Sequence, residues 1–178
     1  MSQKNDLSAY RVVNEYDEDN LRRVFLDYGE LKNAPAIARV IVEERDFEPI
    51  KNTEQLKQVL SRFLPEHKSH KILAQIYQGI RIEVNQEIEV LKEFLIQSLE
   101  VLKPNGRLSV ISYHSLEDRL VKRFMKNGIF EGEPEKDFFG NFSVPFKNVG
   151  KLIVPDFAEI KVNNRARSAK LRIAEKKL

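Results

Sequence analysis

At 178 residues, 42% hydrophobic and 32% charged, the chain has ordinary globular composition and enough length for one domain or two small ones. It has no cysteine, which excludes disulfides, zinc–thiolate sites and a cysteine nucleophile. No apolar stretch approaches the roughly eighteen residues of a membrane span. The formal net charge is only +3, but the last eighteen residues carry seven Lys or Arg against Glu175 alone, which leaves the rest slightly acidic. A basic segment on such a body fits a polyanion contacted at one place, or a solvated terminus. With no apolar run behind Met1-Ser-Gln-Lys-Asn-Asp6, the expectation is a cytoplasmic protein without a signal peptide.

The first hundred residues read as short helices. Ser8 caps a first turn carrying Tyr10, Val12 and Val13. Asp17 caps a second helix with Leu21, Val24, Phe25 and Tyr28 on one face, ended by Gly29. Residues 34–45 carry Ile37, Val40 and Ile41. Thr53 starts a helix whose face is Leu56, Val59, Leu60, Phe63 and Leu64, stopped by Pro65. Ile72, Ile76, Tyr77 and Ile80 mark a fifth helix. Ile88, Leu91, Leu95, Leu99 and Leu102 mark a sixth, broken by Lys103-Pro-Asn-Gly106. His67 and His70 stand near metal-ligand spacing, but no third ligand accompanies them and no metal is expected.

Then the character changes. Residues 108–112 form an apolar strand that runs into a polar corner, Tyr113-His114-Ser115, and a helix carrying Leu116, Leu120, Val121 and Phe124. Ser115 reads as the N-cap, with Asp118 completing a capping box. Lys122, Arg123 and Lys126 sit near the helix's C-terminal end, where its dipole favours cations. Strand, polar corner and helix is the arrangement by which open α/β sheets present reactive groups, beyond the carboxyl ends of parallel strands. Residues 127–150 form an irregular excursion with four glycines, two prolines and five phenylalanines, whose rings pack locally or stack on bases. Residues 151–155 read as a short strand, 156–160 as a helical turn and 169–174 as an alternating strand with Leu171 and Ile173 on one face. Residues 108–112 are expected to be a central strand with an edge left unpaired, a template for self-association.

Several of these runs together resemble one family. They are Val12-Val-Asn-Glu-Tyr16, Ile37-Ala-Arg-Val-Ile41, Gln78-Gly-Ile-Arg-Ile82 with Asn85, and Leu102-Lys-Pro-Asn-Gly-Arg-Leu108. With them stand Ile111-Ser-Tyr-His-Ser-Leu-Glu-Asp-Arg119, Val121-Lys-Arg-Phe124 and Arg165-Ala-Arg-Ser-Ala-Lys-Leu-Arg172. The chain is similar to the C-terminal part of the MraW/RsmH-type methyltransferases, the match being weakest over 127–150. The His-Ser-Leu-Glu-Asp-Arg and Arg-x-Arg-Ser-Ala-Lys-Leu-Arg runs are specific when found together.

The resemblance implies an α/β fold: residues 1–84 an inserted helical subdomain, residues 85–178 the C-terminal part of a Rossmann-like class I methyltransferase domain. It implies methylation of cytosine N4 in small-subunit ribosomal RNA with S-adenosylmethionine, and the small ribosomal subunit or its RNA as partner. No two glycines lie within three positions of each other, so there is no G-x-G loop for the cofactor, and no cofactor-binding residue carries over. Met1 would fall just downstream of the family's fourth strand. The expectation is a C-terminal portion that is inactive by itself.

An exocyclic cytosine amine is a poor nucleophile, so methyl transfer needs an acceptor that holds its N–H and a base lifted from its stack. At the corner, Tyr113 would stack on the base while His114 or Ser112 hydrogen-bonds it. The structural alternative is that Tyr113 packs and His114 bonds a backbone carbonyl. Glu117 and Asp118 lie in the first helical turn, where they support the helix. Arg165, Arg167, Lys170 and Arg172 are the candidate RNA contacts. Arg165 and Arg167 stand in the loop before the last strand; Arg167, Lys170 and Arg172 differ in parity and form no single face. The competing reading is a non-enzymatic helical module that binds RNA or protein.

Overall fold

A computed structural model describes residues 7–136, 138–139 and 142–177; residues 137, 140 and 141 of the aromatic excursion lie outside the described ones. The chain divides into two compact units, one up to Glu87 and one from Ile88 onward.

The first unit is helical: α1 Ala9–Glu15, α2 Glu18–Arg23, α3 Ala34–Arg45, α4 Thr53–Val59 and α5 Ser69–Asn85. Ser8 caps α1 by accepting from the Arg11 N–H, and Asp17 caps α2 by accepting from the Asn20 N–H. The α4 cap is Asn52 rather than Thr53, its side chain accepting from the Gln55 N–H. The face expected to continue to Leu64 breaks after Val59 into a 3₁₀ turn, Ser61–Phe63. Val12, Leu21, Val24, Phe25, Ile37, Ile41, Leu60 and Ile76 are fully buried together.

Polar side chains fasten this core. Asn14 donates to the Ile50 carbonyl (2.9 Å) and accepts from the Ile50 N–H (2.8 Å), stapling the segment before α4 to α1. Glu83 on α5 accepts from the Tyr16 hydroxyl (2.8 Å) and pairs with Arg23 (2.7 Å). Burial, then the adjoining Glu83 carboxylate, pushes the Tyr16 hydroxyl up to about 12.

After α2 the helix widens into a π-helical turn, Val24–Tyr28, where α5 crosses close to it. A Cβ on Gly79 would lie 3.1 Å from the Val24 carbonyl oxygen and 3.2 Å from the Gly29 nitrogen. Gln75 and Gln78 of α5 donate to the Gly29 and Tyr28 carbonyls (3.0 and 2.9 Å), satisfying groups that the turn leaves open.

In the second unit, α6 Glu87–Val101 is followed by β1 Arg107–Ser112, α7 Ser115–Asn127, β2 Phe146–Asn148, α8 Phe157–Val162 and β3 Lys170–Lys176. The sheet order is β1-β3-β2 and both pairings are antiparallel. Two expectations are thereby corrected. Residues 108–112 lie in an edge strand with β3 at the centre, and β1 has no parallel neighbour among the described residues. Residues 151–155 form no strand: Leu171 and Ile153 exchange one pair of bonds, and the three residues before Ile153 bow away. The short strand instead is β2, inside the expected excursion, where buried Phe146 anchors it.

The antiparallel register places Leu108, Val110 and Ser112 on one face with Ala174, Arg172 and Lys170. Helix α7 covers that face through Val121, Phe124 and Met125, together with Leu95 of α6. Leu171 and Ile173 share the other face with Ile111, which is 57% exposed. Lys176, at the end of β3, donates to the Leu99 and Leu102 carbonyls (both 2.8 Å) and so closes the C-terminus of α6.

Gly79→Val is expected to destabilise the chain by about 1–3 kcal/mol, since the added carbons meet backbone that cannot rotate aside. Urea denaturation of the two forms checks this; equal midpoints would show that the helices separate at no cost.

Candidate functional site

The site is built where β1 stops. Ser112, the last residue of β1, is buried, and its hydroxyl faces the Lys170 carbonyl at 3.5 Å. The next residue, Tyr113, projects outward and is 57% exposed. At His114 the backbone is still extended (φ −131°, ψ 166°), and α7 begins immediately after it.

His114, not Ser115, is the N-cap of α7. Its Nδ1 accepts from the Glu117 N–H at 3.4 Å, and the Glu117 carboxylate reaches back to the N–H groups of Tyr113 (2.9 Å) and His114 (3.3 Å). The capping box therefore closes on Glu117 rather than Asp118, because the helix starts one residue earlier in capping register. A ring nitrogen that accepts carries no proton, which places the ring N–H at Nε2. Nε2 lies 3.2 Å from a Glu117 carboxylate oxygen, but off the axis of a hydrogen bond, and is buried without an aligned hydrogen-bond partner among the described residues.

Burial alone would raise the Glu117 carboxyl. The adjoining His114 ring and the two backbone amides outweigh it, and the pKa falls from 4.5 to about 2.

Asp118 points the other way, into the sheet. Its side chain is 10% exposed and receives Arg172 through both carboxylate oxygens (2.7 and 3.1 Å) and Lys170 at 3.3 Å. These cations hold its carboxyl below the usual range in spite of burial. Lys170 and Arg172, two of the four expected RNA contacts, thus share one face and one carboxylate.

Arg165 and Arg167 stand apart in a 3₁₀ turn, Asn164–Ser168, between α8 and β3. Buried Ala166 anchors the turn between them, leaving both arginines exposed. Neither guanidinium has an acceptor among the described residues. The structure therefore brings Ser112, Tyr113, His114, Lys170 and Arg172 to one end of the sheet and holds Arg165 and Arg167 in the turn leading into it.

Sequence reasoning missed Asp118 as a partner of β3. The available signal was an acid in the first turn after a strand, facing a later strand with cations two apart. Among the described residues no group of three or more His, Cys, Asp or Glu is placed to hold a metal ion, and no helix is long and apolar enough to cross a membrane.

Comparison with known proteins agrees with the architecture. The chain matches the family described as the MraW methylase family over residues 1–177. It is 77% identical over 176 residues to a ribosomal RNA small subunit methyltransferase H of Flavobacterium johnsoniae, covering 99% of this chain and 58% of that protein. A protein of the same name from Flavobacterium psychrophilum is 77% identical over 177 residues, covering 99% and 61%. Another from Bacteroides thetaiotaomicron is 50% identical over 178 residues, covering 99% and 59%. The chain thus spans about three-fifths of the length of these curated relatives.

Glu117→Ala is expected to lower stability by about 1–2 kcal/mol at neutral pH, the worth of a capping interaction. A depressed carboxylate pKa contributes stability that is present above the unfolded value near 4.5 and is lost as pH falls toward 2. The gap between the two proteins should therefore narrow across that interval in thermal melts. A gap independent of pH would show that the carboxylate is not what holds the corner.

Proposed function

This chain belongs to the MraW methylase family, and from that premise we propose that it forms the RNA-facing part of an enzyme that methylates cytosine N4 in small-subunit ribosomal RNA with S-adenosylmethionine. The observation that carries the reading is the corner after β1. There an exposed Tyr113 stands beside a half-buried, rigidly capped His114, while two arginines without an acceptor among the described residues lie in the turn before the neighbouring strand. In this reading residues 1–84 are the inserted helical subdomain and residues 85–178 the C-terminal part of the methyltransferase domain. The protein works in the cytoplasm on the small ribosomal subunit or its RNA.

Tyr113 offers a ring for a base turned out of its stack. The Nε2–H of His114 lies 3.2 Å from a Glu117 carboxylate oxygen without an aligned hydrogen bond among the described residues, so an opening of the corner would offer it to the base; Ser112 reinforces the strand end. Arg165 and Arg167 have the fork geometry for phosphate oxygens, whereas Lys170 and Arg172 are already neutralised in part by Asp118.

The described residues do not make a cradle for S-adenosylmethionine. The two carboxylates near the corner that could take a ribose are committed, Glu117 to the cap and Asp118 to Arg172 and Lys170. No pair of glycines allows a close backbone approach to the cofactor. Cofactor binding would belong to the stretch of the relatives that this chain does not span. The edge of β1 that is unpaired among the described residues and the half-open face bearing Ile111 offer further strands a place to pair, or copies of this chain a place to associate. The helical-module alternative leaves this face and edge without a purpose.

Calorimetric titration of this chain with S-adenosylmethionine is expected to show no micromolar binding; such binding would refute the assignment of the cofactor elsewhere. In a polypeptide that also carries the relatives' remaining stretch, His114→Ala should lower turnover at little cost in RNA affinity. Arg165→Ala with Arg167→Ala should instead weaken RNA binding and flatten the slope of log K against log salt by about 1.4–1.8. An unchanged salt slope would return the turn to a solvated loop.

A further inference from the structure

Between β2 and β3 the chain makes a detour that the methyltransferase chemistry does not use. Val149 donates to the Ile173 carbonyl at 2.9 Å, and Ile153 donates to the Leu171 carbonyl at 3.1 Å. Gly150, Lys151 and Leu152 therefore bow out opposite the single residue Arg172. Gly150 turns the bow with φ +72°, in the left-handed region. All three residues are exposed, and among the described residues none of their N–H groups has an acceptor.

This bow is one wall of a cleft of about 110 Å³ whose opposite wall is α7. Lys122 and Lys126, one helical turn apart on α7, line it together with Lys151 and Arg172, and no carboxylate does. Asp118, which pairs with the lining Arg172, also receives Lys170. None of the three lysines has an ion-pair partner among the described residues. The C-terminal end of a helix dipole accounts for Lys126 alone. It does not account for Lys151 on a separate segment, or for open backbone amides beside a left-handed glycine, which is the arrangement of an anion-binding nest.

We propose that this cleft, lined by Lys122, Lys126 and Lys151 and by the bowed Gly150–Leu152 backbone, binds a phosphate of an RNA strand. The inference rests on the RNA-modifying reading above and adds a contact separate from Arg165 and Arg167. Lysine ammonium groups supply point charges without base discrimination, so the site positions the strand and does not read its sequence.

The test uses this chain as it stands, isotopically labelled, with backbone amide shifts followed by NMR. Inorganic phosphate, against chloride at equal ionic strength, should move the amides of Gly150, Lys151 and Leu152 more than those elsewhere. A short single-stranded RNA should move the same amides. The double variant Lys122→Gln, Lys151→Gln should remove the phosphate response and flatten the salt slope of RNA binding by about 1.4, while the Arg165 and Arg167 contribution remains. Phosphate that leaves these amides unmoved would overturn the site. Phosphate moving them while RNA binds without doing so would leave a free-oxoanion site and overturn the assignment to RNA, with the methyltransferase reading intact. RNA that fails to bind at low salt, while phosphate still moves the amides, would overturn both the RNA assignment and the RNA-facing role of this chain. A well-dispersed spectrum of the double variant ensures that a lost response is loss of binding and not of fold.

Discussion

Much of the second unit depends on one carboxylate, Asp118, enclosed between helix α7 and strand β3. An aspartate with its side chain only 10% exposed is tolerable only when its charge is met, and here Arg172 meets it in a fork while Lys170 adds a third contact. Removing either side of such an enclosed pair leaves a charge without compensation, typically a loss of about 3–5 kcal/mol, reduced here because Lys170 remains partly exposed. The pair fixes more than stability. It sets the first turn of α7 against β3, and β3 in turn holds β1, whose last residues deliver Ser112, Tyr113 and His114. Geometry at the corner is thus set by a contact one strand away from it.

That contact also explains which face of β3 is buried. Alternation alone points to Leu171 and Ile173 as an apolar inward face, yet the face under α7 carries Lys170, Arg172 and Ala174, while Leu171 and Ile173 lie on the more open side. Period-2 patterning identifies two faces but cannot say which is covered. The decision lay in Asp118, more than fifty positions earlier, and in the covering helix that carries it. The same non-locality hid β2. Its three residues look like loop until Phe146 finds Phe124 and the end of β3 finds a partner.

The helical half was legible for the opposite reason: its signals are local. Ser8 and Asp17 cap the helices that they precede, and residues 34–45 form the helix that their periodicity implies. The misreadings there were small shifts of cap, such as Asn52 for Thr53. At the functional corner a shift of the same size mattered more. Placing the cap at His114 rather than Ser115 exchanges the roles of Glu117 and Asp118, so that one carboxylate holds the helix start and the other is released to the sheet. The resemblance to the methyltransferases could be read from the motifs, but not how those motifs divide between structure and chemistry. Arg172 and Lys170 lie in the same run as Arg165 and Arg167, and only the fold shows that the first pair is committed while the second has no ion-pair partner among the described residues.

That division constrains how the segment meets a polyanion. Cations that neutralise an internal carboxylate lend little net charge to the surface, so attraction must come from those with no internal partner. Among the described residues of this unit these include Arg165 and Arg167 in the turn before β3, and Lys122, Lys126 and Lys151 about the cleft beside it. Both groups are anchored to elements that Asp118 ties together, the arginines to the turn entering β3 and the lysines to α7 and the bow opposite Arg172. A strand held by rigidly mounted cations loses its own freedom once and need not reorder the protein as well, which favours placement over mere accumulation of charge. The same rigidity serves the corner, because a base presented to Tyr113 must be held by its backbone while its ring is free to turn.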